Sequence, residues 1–401
     1  MNQQEGTADR TGRASSSGAR WERRNVLKAG ATGCGFALAG CLERLGFEEQ
    51  SAWNTPPLIE DRPDAVYVPA GEEEMAAYGQ GTAGDYAVSL TYTFPHRFWL
   101  VSGERHRVDV QTEDTHHLMM TVWDDATGVV LPADLGLEIV DADGDLVHGD
   151  APWSMLAQRM GFHYGDNVTL PEEGSYTARI QVGPVTTRRT GDLEGRLEST
   201  ETVEIPFEYA RADVRDLELI SVPEDEQGTR GALEVMSHGS GNGHEGEHDE
   251  TGSGDGHGNG AAPAFTGPAI SNLPGTRLGT ERSGDADITA IETDLERLRD
   301  DADADADADT YLAVFPRTPY NDVPLPFTSL SATLEADGET LLEEPLVETL
   351  DHEFGHHYGL AIDDLTAADR VTVSVDTAPQ VARHDGYETA FFDFEPVSFD
   401  Q

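Results

Sequence analysis

One stretch of this chain occurs twice, and that repetition limits the fold more than any other feature. Residues 155–168 run Met155-Leu-Ala-Gln-Arg-Met160-Gly-Phe-His163-Tyr-Gly165-Asp-Asn167-Val. They align with 349–362, which run Thr349-Leu-Asp-His352-Glu353-Phe-Gly-His356-His357-Tyr-Gly359-Leu-Ala-Ile. Upstream, Asp143-Gly144 matches Asp337-Gly338 at the same offset. Downstream, with the offset longer by one residue, Tyr176, Ala178, Ile180 and Val182 match Val371, Val373, Val375 and Thr377. Pro184 then matches Pro379, and Arg188-Arg189 matches Arg383-His384. A match sustained through turn, loop and strand reads as two copies of one unit.

Each copy is written in short alternating runs. Examples are 86–92, 106–110, 135–140, 176–182 and 203–209, with Asp-Gly or Glu-Gly turns between some of them. Apolar residues at every second position put one face of a strand inward and the other outward. Many such strands with turn chemistry between them specify an antiparallel all-β sandwich. The reading is therefore two tandem β-sandwich domains, at 84–216 and 310–401. Between them, 217–309 is a linker in which 237–262 are Gly, His, Ser and acids, too poor in apolar residues to fold. Ile288 to Leu298 could form a short helix, and 301–309 alternates Asp and Ala as a solvated spacer.

The front of the chain reads as an address. Arg23-Arg24 precede a short Gly- and Ala-rich apolar run, too mild to span a bilayer, and Leu38-Ala-Gly-Cys41 follows. Twin arginines before such a run mark folded-state export. Leu-Ala-Gly-Cys is a lipobox, with lipid carried on Cys41. On this reading 1–40 is a twin-arginine lipoprotein signal, 41–83 a tether and lead-in, and the working chain sits lipid-anchored on the extracytoplasmic face of the membrane. Cys34 falls in the signal, which leaves no thiol to act as a metal ligand.

Charge narrows the partners. The chain has 76 acidic against 26 basic residues, for a net charge of −50, and its one Lys is Lys28. Acid-rich, Lys-poor surfaces are those of proteins working in high salt, where a Debye length of about 3 Å screens self-repulsion. Nucleic acid is excluded as a partner because no basic stripe exists. Cations are attracted in general.

Around Gly161-Phe-His163-Tyr-Gly165 and Gly355-His-His357-Tyr-Gly359 the chain resembles the periplasmic ferrous iron transport protein family. The resemblance covers about 100–212 and, more weakly, 310–399. It implies immunoglobulin-like sandwiches that stand beside an iron permease and bind copper or another divalent metal, commonly as dimers. In that family a strand carries His-x-Glu, a later segment carries Met before His-Tyr-Gly, and a last loop carries Arg-His. Here His117 and Met119 fall at the strand pair, with Met in place of the carboxylate. Met155 or Met160 falls at the Met and His163 at the His, while Arg189 stands where the last His belongs. The second copy keeps His357 and His384 but has Tyr311 and Ala313 at the strand pair.

The residues support that chemistry by themselves. Only seven Met occur, and Met119, Met120, Met155 and Met160 lie near His116, His117 and His163 in sequence. Thioether with imidazole suits copper, above all Cu(I), whereas iron prefers carboxylate oxygen. On a strand, 117 and 119 share one face, which leaves Met120 for the core. The expected ligands are His117, Met119, Met155, Met160 and His163, with His357 and His384 as a weaker second set. The cargo is copper or iron, the partner a membrane metal permease, and the chain either dimerises or packs its two copies as a dimer-like pair within one chain. No catalysis is expected. Filling of core gaps remains the competing role for each Met.

Three further motifs compete. His352-Glu353-Phe-Gly-His356 is the zinc-peptidase pattern, which requires a helix presenting both His on one face. Against it, Ile362 stands where a third ligand belongs, no Met follows Met236 to form a Met-turn, and strand-like sequence follows. His238, His244, His248 and His257 lie among acids in the linker and could collect divalent ions weakly. Asn167-Val-Thr169 is a glycosylation sequon inside the repeated turn, where a structural Asn is favoured. A structural envelope lipoprotein without metal is the remaining alternative.

Overall fold

The computed structural model describes residues 56–102, 104–236, 266–299 and 308–400. The export signal, Cys41 and the linker histidines lie outside the described residues. No described helix is long and apolar enough to cross a membrane.

The chain is all-β, built as sheet packed on sheet. A small ribbon pairs β1 (Gly71–Glu73) with β14 (Leu219–Ser221). The front half has an eight-stranded sheet in the order β2 (Ala76–Ala83), β3 (Tyr86–Thr93), β6 (His116–Asp124), β10 (Gly161–Val168), β9 (Trp153–Ala157), β23 (Ala382–Arg383), β4 (Phe98–Ser102), β5 (Glu104–Val108). Against it lies a four-stranded sheet: β13 (Glu201–Tyr209), β11 (Gly174–Val182), β7 (Leu135–Asp141), β8 (Leu146–Asp150). The back half has a six-stranded sheet: β12 (Arg188–Thr190), β20 (Val347–Asp351), β21 (Gly355–Ile362), β17 (Thr310–Arg317), β16 (Ala286–Thr293), β15 (Thr276–Ser283). Its four-stranded partner is β19 (Glu339–Pro345), β18 (Ser329–Ala336), β22 (Arg370–Thr377), β24 (Val397–Asp400). Among the described residues helix is confined to a few short turns, the α-helical ones being α1 (Arg211–Asp216) and α2 (Glu296–Arg299).

The large sheets follow one plan. β2-β3-β6-β10-β9 in front corresponds to β15-β16-β17-β21-β20 behind. Both opening hairpins carry a bulge, at Ala77/Gly79 and at Arg277/Gly279, and both turn at a left-handed glycine, Gly84 (φ 56°) and Gly284 (φ 54°). These bulges break the strict alternation of two that sequence reading relies on. For that reason the linker assigned to 217–309 wrongly absorbed β15 and β16, and the front domain assigned from 84 omitted β2. The helix expected over Ile288–Leu298 is strand β16 followed by the four-residue α2; Ile288, Ile291, Leu295 and Leu298 mimic helical spacing by coincidence.

Strands are also exchanged between halves. β12, from the front chain segment, pairs in parallel with β20 behind: Arg188↔Thr349, Arg189↔Leu350, Thr190↔Asp351. β23, from the back segment, pairs in parallel with β9 in front: Ala382↔Met155, Arg383↔Leu156. Given β9 and β20 in register, Arg189 corresponds to Arg383 and Thr190 to His384. The sequence alignment, which set Arg189 against His384, is one residue out. Hydrogen bonding agrees, since Arg189 donates to Val185 O and Arg383 to Pro379 O, each four residues back. One apolar core cluster runs through residues of both halves.

Candidate metal centre

Strand β6 is buried along its whole length, with unlike faces. Leu118, Met120 and Val122 enter the sandwich core, beside His116 and its neighbours Tyr78, Tyr92 and Tyr209. His117 and Met119 point to the other face of the sheet. Met120 is thus a core residue.

On that outer face β10 runs beside β6 and β9, with His163 opposite Met155 and Gly165 opposite Met119. The exchanged β23 leads His384 in, with its N–H donating to Leu156 O at 3.1 Å. A fourth imidazole, His96, arrives from the connection just before β4. Ligand nitrogens of His96, His117 and His384 all lie within 4.8 Å of one another. Ring centroids are 4.1 Å apart for His96–His117, 4.9 Å for His96–His384 and 5.2 Å for His163–His384. Met155 Sδ is 3.3 Å from His384 Nε2.

Three of these rings are oriented through Nδ1 by oxygen atoms. His96 Nδ1 faces Phe94 O at 3.2 Å, His163 Nδ1 faces Gly161 O at 3.1 Å, and His117 Nδ1 faces Asn167 Oδ1 at 2.9 Å. In His117 a proton held at Nδ1 leaves the Nε2 lone pair available as a ligand, which is how metal-binding imidazoles are commonly set, while His96 Nε2 lies 3.1 Å from His384 Nδ1. His117 Nε2 is buried and has no hydrogen-bond partner among the described residues. A buried polar atom in that state normally costs stability unless something else satisfies it. Gly165 provides the room, since a Cβ there would sit 2.8 Å from His117 Nε2 and 3.2 Å from Met155 Sδ. The Asn167 amide serves the same cluster, as Nδ2 also donates to His96 O at 2.9 Å.

Burial, followed by repulsion from neighbouring rings, holds the His117 and His384 pKa values well below the ordinary imidazole range. Burial likewise lowers His96 to about 4. The rings are therefore neutral and able to ligate at neutral pH. Arg97 is clamped to Asp385 at one side of the group, with Nε 3.1 Å from Oδ1.

Of the residues expected from sequence, the fold brings His117, Met155, His163 and His384 together, and Met119 and Met160 line the adjoining cleft with His163 and His384. His384 belongs with the front set because its strand crosses over; it is not paired with His357. His357 lies on the corresponding face behind, among Tyr311, Phe315 and Phe354, with Nε2 3.2 Å from Tyr311 Oη. His96 was missed. It sits in Pro95-His96-Arg97 after a strand end, with no spacing to another ligand that would mark it.

The His352–His356 segment is a turn followed by strand β21 and offers no helix face. His356 Nε2 is 2.7 Å from Glu348 Oε1, Glu353 pairs with Arg297 at 2.6 Å, and His352 Nδ1 accepts from Asp192 N at 3.3 Å.

The tyrosine and first glycine of the repeated motif are architectural. Tyr164 Oη donates to Ala133 O at 2.7 Å, and Tyr358 Oη receives Thr328 N at 3.0 Å. Gly161 (φ 70°) and Gly355 (φ 63°) close the preceding turns in the left-handed region.

A family model described as a domain of unknown function, DUF7350, matches residues 271–400. No curated protein matches the chain. Among solved structures, FetP of uropathogenic Escherichia coli strain F11, expressed in the periplasm of E. coli, is similar at 19% identity and TM-score 0.28, covering 34% of this chain and 97% of that one. A copper-bound single-residue variant of Campylobacter jejuni P19 is similar at 16% identity and TM-score 0.28, covering 34% and 98%. Copper-reconstituted P19 is similar at 17% identity and TM-score 0.27, covering 34% and 97%.

Proposed function

We propose that this chain is an extracytoplasmic, lipid-anchored protein that binds copper as cargo and handles it beside a membrane permease, without catalysing a reaction. Its two halves are divergent copies of one sandwich, packed as a dimer-like pair within the chain. The binding centre belongs to the front copy and is completed by His384 from the back copy.

One observation carries the reading: the buried, unpartnered His117 Nε2 faces a space kept open by Gly165, beside His96, His384 and Met155 Sδ. The donors are neutral imidazoles and a thioether. No carboxylate shares the three-histidine group, which suits a soft ion and disfavours iron. Burial keeps the donors deprotonated, so an arriving cation displaces no protons from His96 at neutral pH.

Titration with Cu(I) under anaerobic chelator competition tests this, using a chain with His238, His244, His248 and His257 each changed to Asn. One tight equivalent is expected, lost on His117→Ala or His384→Ala and retained on His357→Ala and Glu353→Gln. Absence of any tight equivalent overturns the proposal. Casein cleavage abolished by Glu353→Gln would establish the peptidase in its place.

A further inference from the structure

The histidine cluster opens into a cleft whose walls are rich in sulfur. Met75, Met119 and Met160 line it together with His163 and His384. With Met155 at the cluster itself, four of the chain's seven methionines gather at one place. Their burial is graded. Met155 is fully buried, Met119 is 2% and Met160 4% exposed, and Met75 is half-buried.

The fold holds the outer two in place from either side. Arg159, next to Met160, pairs with Glu72 of β1 at 2.6 Å, which clasps the β9–β10 turn against the ribbon. The segment carrying Met75 is pinned by Thr93 Oγ1 donating to Glu74 O at 2.7 Å, and by Glu74 N donating to Glu218 O at 2.9 Å. The segments carrying Met75 and Met160 are thus fixed beside the cleft that Met119, on the sheet face of His117, also lines. Glu73 and the Arg97–Asp385 pair lie on the same cleft.

Methionine as packing would not need this arrangement. Three methionines lining one opening match the preference of a soft monovalent cation for thioether donors. We infer that Met75, Met119 and Met160 form a second, weaker site at the mouth of the cleft, which takes Cu(I), or its analogue Ag(I), before the ion reaches the histidines. This rests on the proposed copper-binding function and extends it to how the ion enters.

The probe is Ag(I), which undergoes no redox change, added to the full chain with the four linker histidines changed to Asn and followed by native mass spectrometry. Two bound ions are expected at excess Ag(I), one at stoichiometric Ag(I). Met75→Leu with Met160→Leu conserves volume and should leave the fold intact, as checked by circular dichroism. That variant should keep the tight ion, lose the second, and take up Cu(I) from a chelator about tenfold more slowly. His117→Ala should lose the tight ion and keep the weak one. A double Met variant that still binds two ions, and loads at the parental rate, overturns the mouth site while leaving the histidine centre standing. A parent chain that binds no Ag(I) overturns both.

Discussion

The two halves solve the same corner of the sandwich in opposite ways. In each, three pieces meet on the outer face of the large sheet: the strand before the His-Tyr-Gly strand, the connection leaving the second strand, and a parallel strand lent by the other half. In front these supply Met155, His96 and His384, next to His117. Behind, the corresponding pieces supply Thr349 and Asp351, Arg297 and Thr190. There Asp351 accepts from Thr190 Oγ1 at 2.8 Å and from Arg297 at 3.0 Å, and Tyr311 Oη meets His357 Nε2 at 3.2 Å. Tyr311 and Ala313 stand in register where His117 and Met119 stand, and their face is an apolar cluster with Ile291, Phe315 and Phe354. One corner holds soft donors around a space, and the other fills that space with an ion pair and rings.

The largest effect that would sharpen this contrast is at Asp351. Burial would raise its carboxyl pKa, but hydrogen bonds from Arg297, Thr190 and the turn N–H groups of Phe354 and Glu353 hold it at about 2. Removing it as Asp351→Ala leaves those donors without their acceptor, a loss of about 3–5 kcal/mol. Thermal unfolding should show that loss, while the front centre keeps its Cu(I) affinity in the surviving folded protein. A fall in affinity equal to the fall in stability would mean that the corners are not independent.

Next come the matched glycines. A Cβ on Gly165 would press on His117 Nε2 and Met155 Sδ, whereas one on Gly359 would collide with the Tyr311 hydroxyl. Gly165→Ala should weaken Cu(I) binding about 10–100-fold, the size of effect seen when ligand orientation is disturbed. Gly359→Ala should leave binding unchanged and cost about 1–3 kcal/mol of stability through overpacking. Equal loss of metal affinity in both variants would erase the distinction drawn between the halves.

How much of this was legible in the sequence follows from what local pattern can carry. Alternation and the doubled His-Tyr-Gly segment were enough for an all-β fold of packed sheets, and for His117, Met155 and His163 on neighbouring strands. The hairpins β2–β3 and β15–β16 were only half seen because Gly79 and Gly279 sit at bulges that interrupt the period of two. His384 was seen as a ligand but given to the wrong half, since no local signal records that β23 crosses over. His96 carried no spacing cue at all, as its role depends on a connection between β3 and β6 folding back over the sheet. Methionines beside histidines favoured copper without deciding between copper and iron, and of those methionines the structure puts Met120 in the core and Met119 and Met160 at the wall of the cleft.

Acid should expose a property that both halves share. Burial lowers His357 to about 4, and lowers His116, in the front core, further to about 3. Both stay neutral in the folded chain, while the unfolded chain takes up protons below about 6.5. The unfolded state then binds more protons, so stability is lost as pH falls from about 6.5 toward 4. By pH 5 the loss is about 2 kcal/mol for each such imidazole. Denaturant titrations of the metal-free chain at pH 7 and pH 5 measure it, and His357→Gln should remove one imidazole's share. An unchanged pH dependence in that variant would mean that His357 is not held neutral by burial.

The smallest change tests whether the back corner retains any latent centre. Tyr311→Phe removes the hydroxyl facing His357 Nε2 and leaves the ring among Ile291, Phe315 and Phe354. A single buried hydrogen bond is worth about 1 kcal/mol, and the freed Nε2 adds a desolvation cost of similar size. Stability should therefore drop by about 1–2 kcal/mol, and Cu(I) stoichiometry should stay at the parental value. The position of Met155 is held behind by Thr349 and that of His384 by Thr190, so an unmasked His357 has no soft partner there. A new equivalent of Cu(I) in Tyr311→Phe would show that the hydroxyl alone blocks a second centre, and that the two corners differ by less than their side chains suggest.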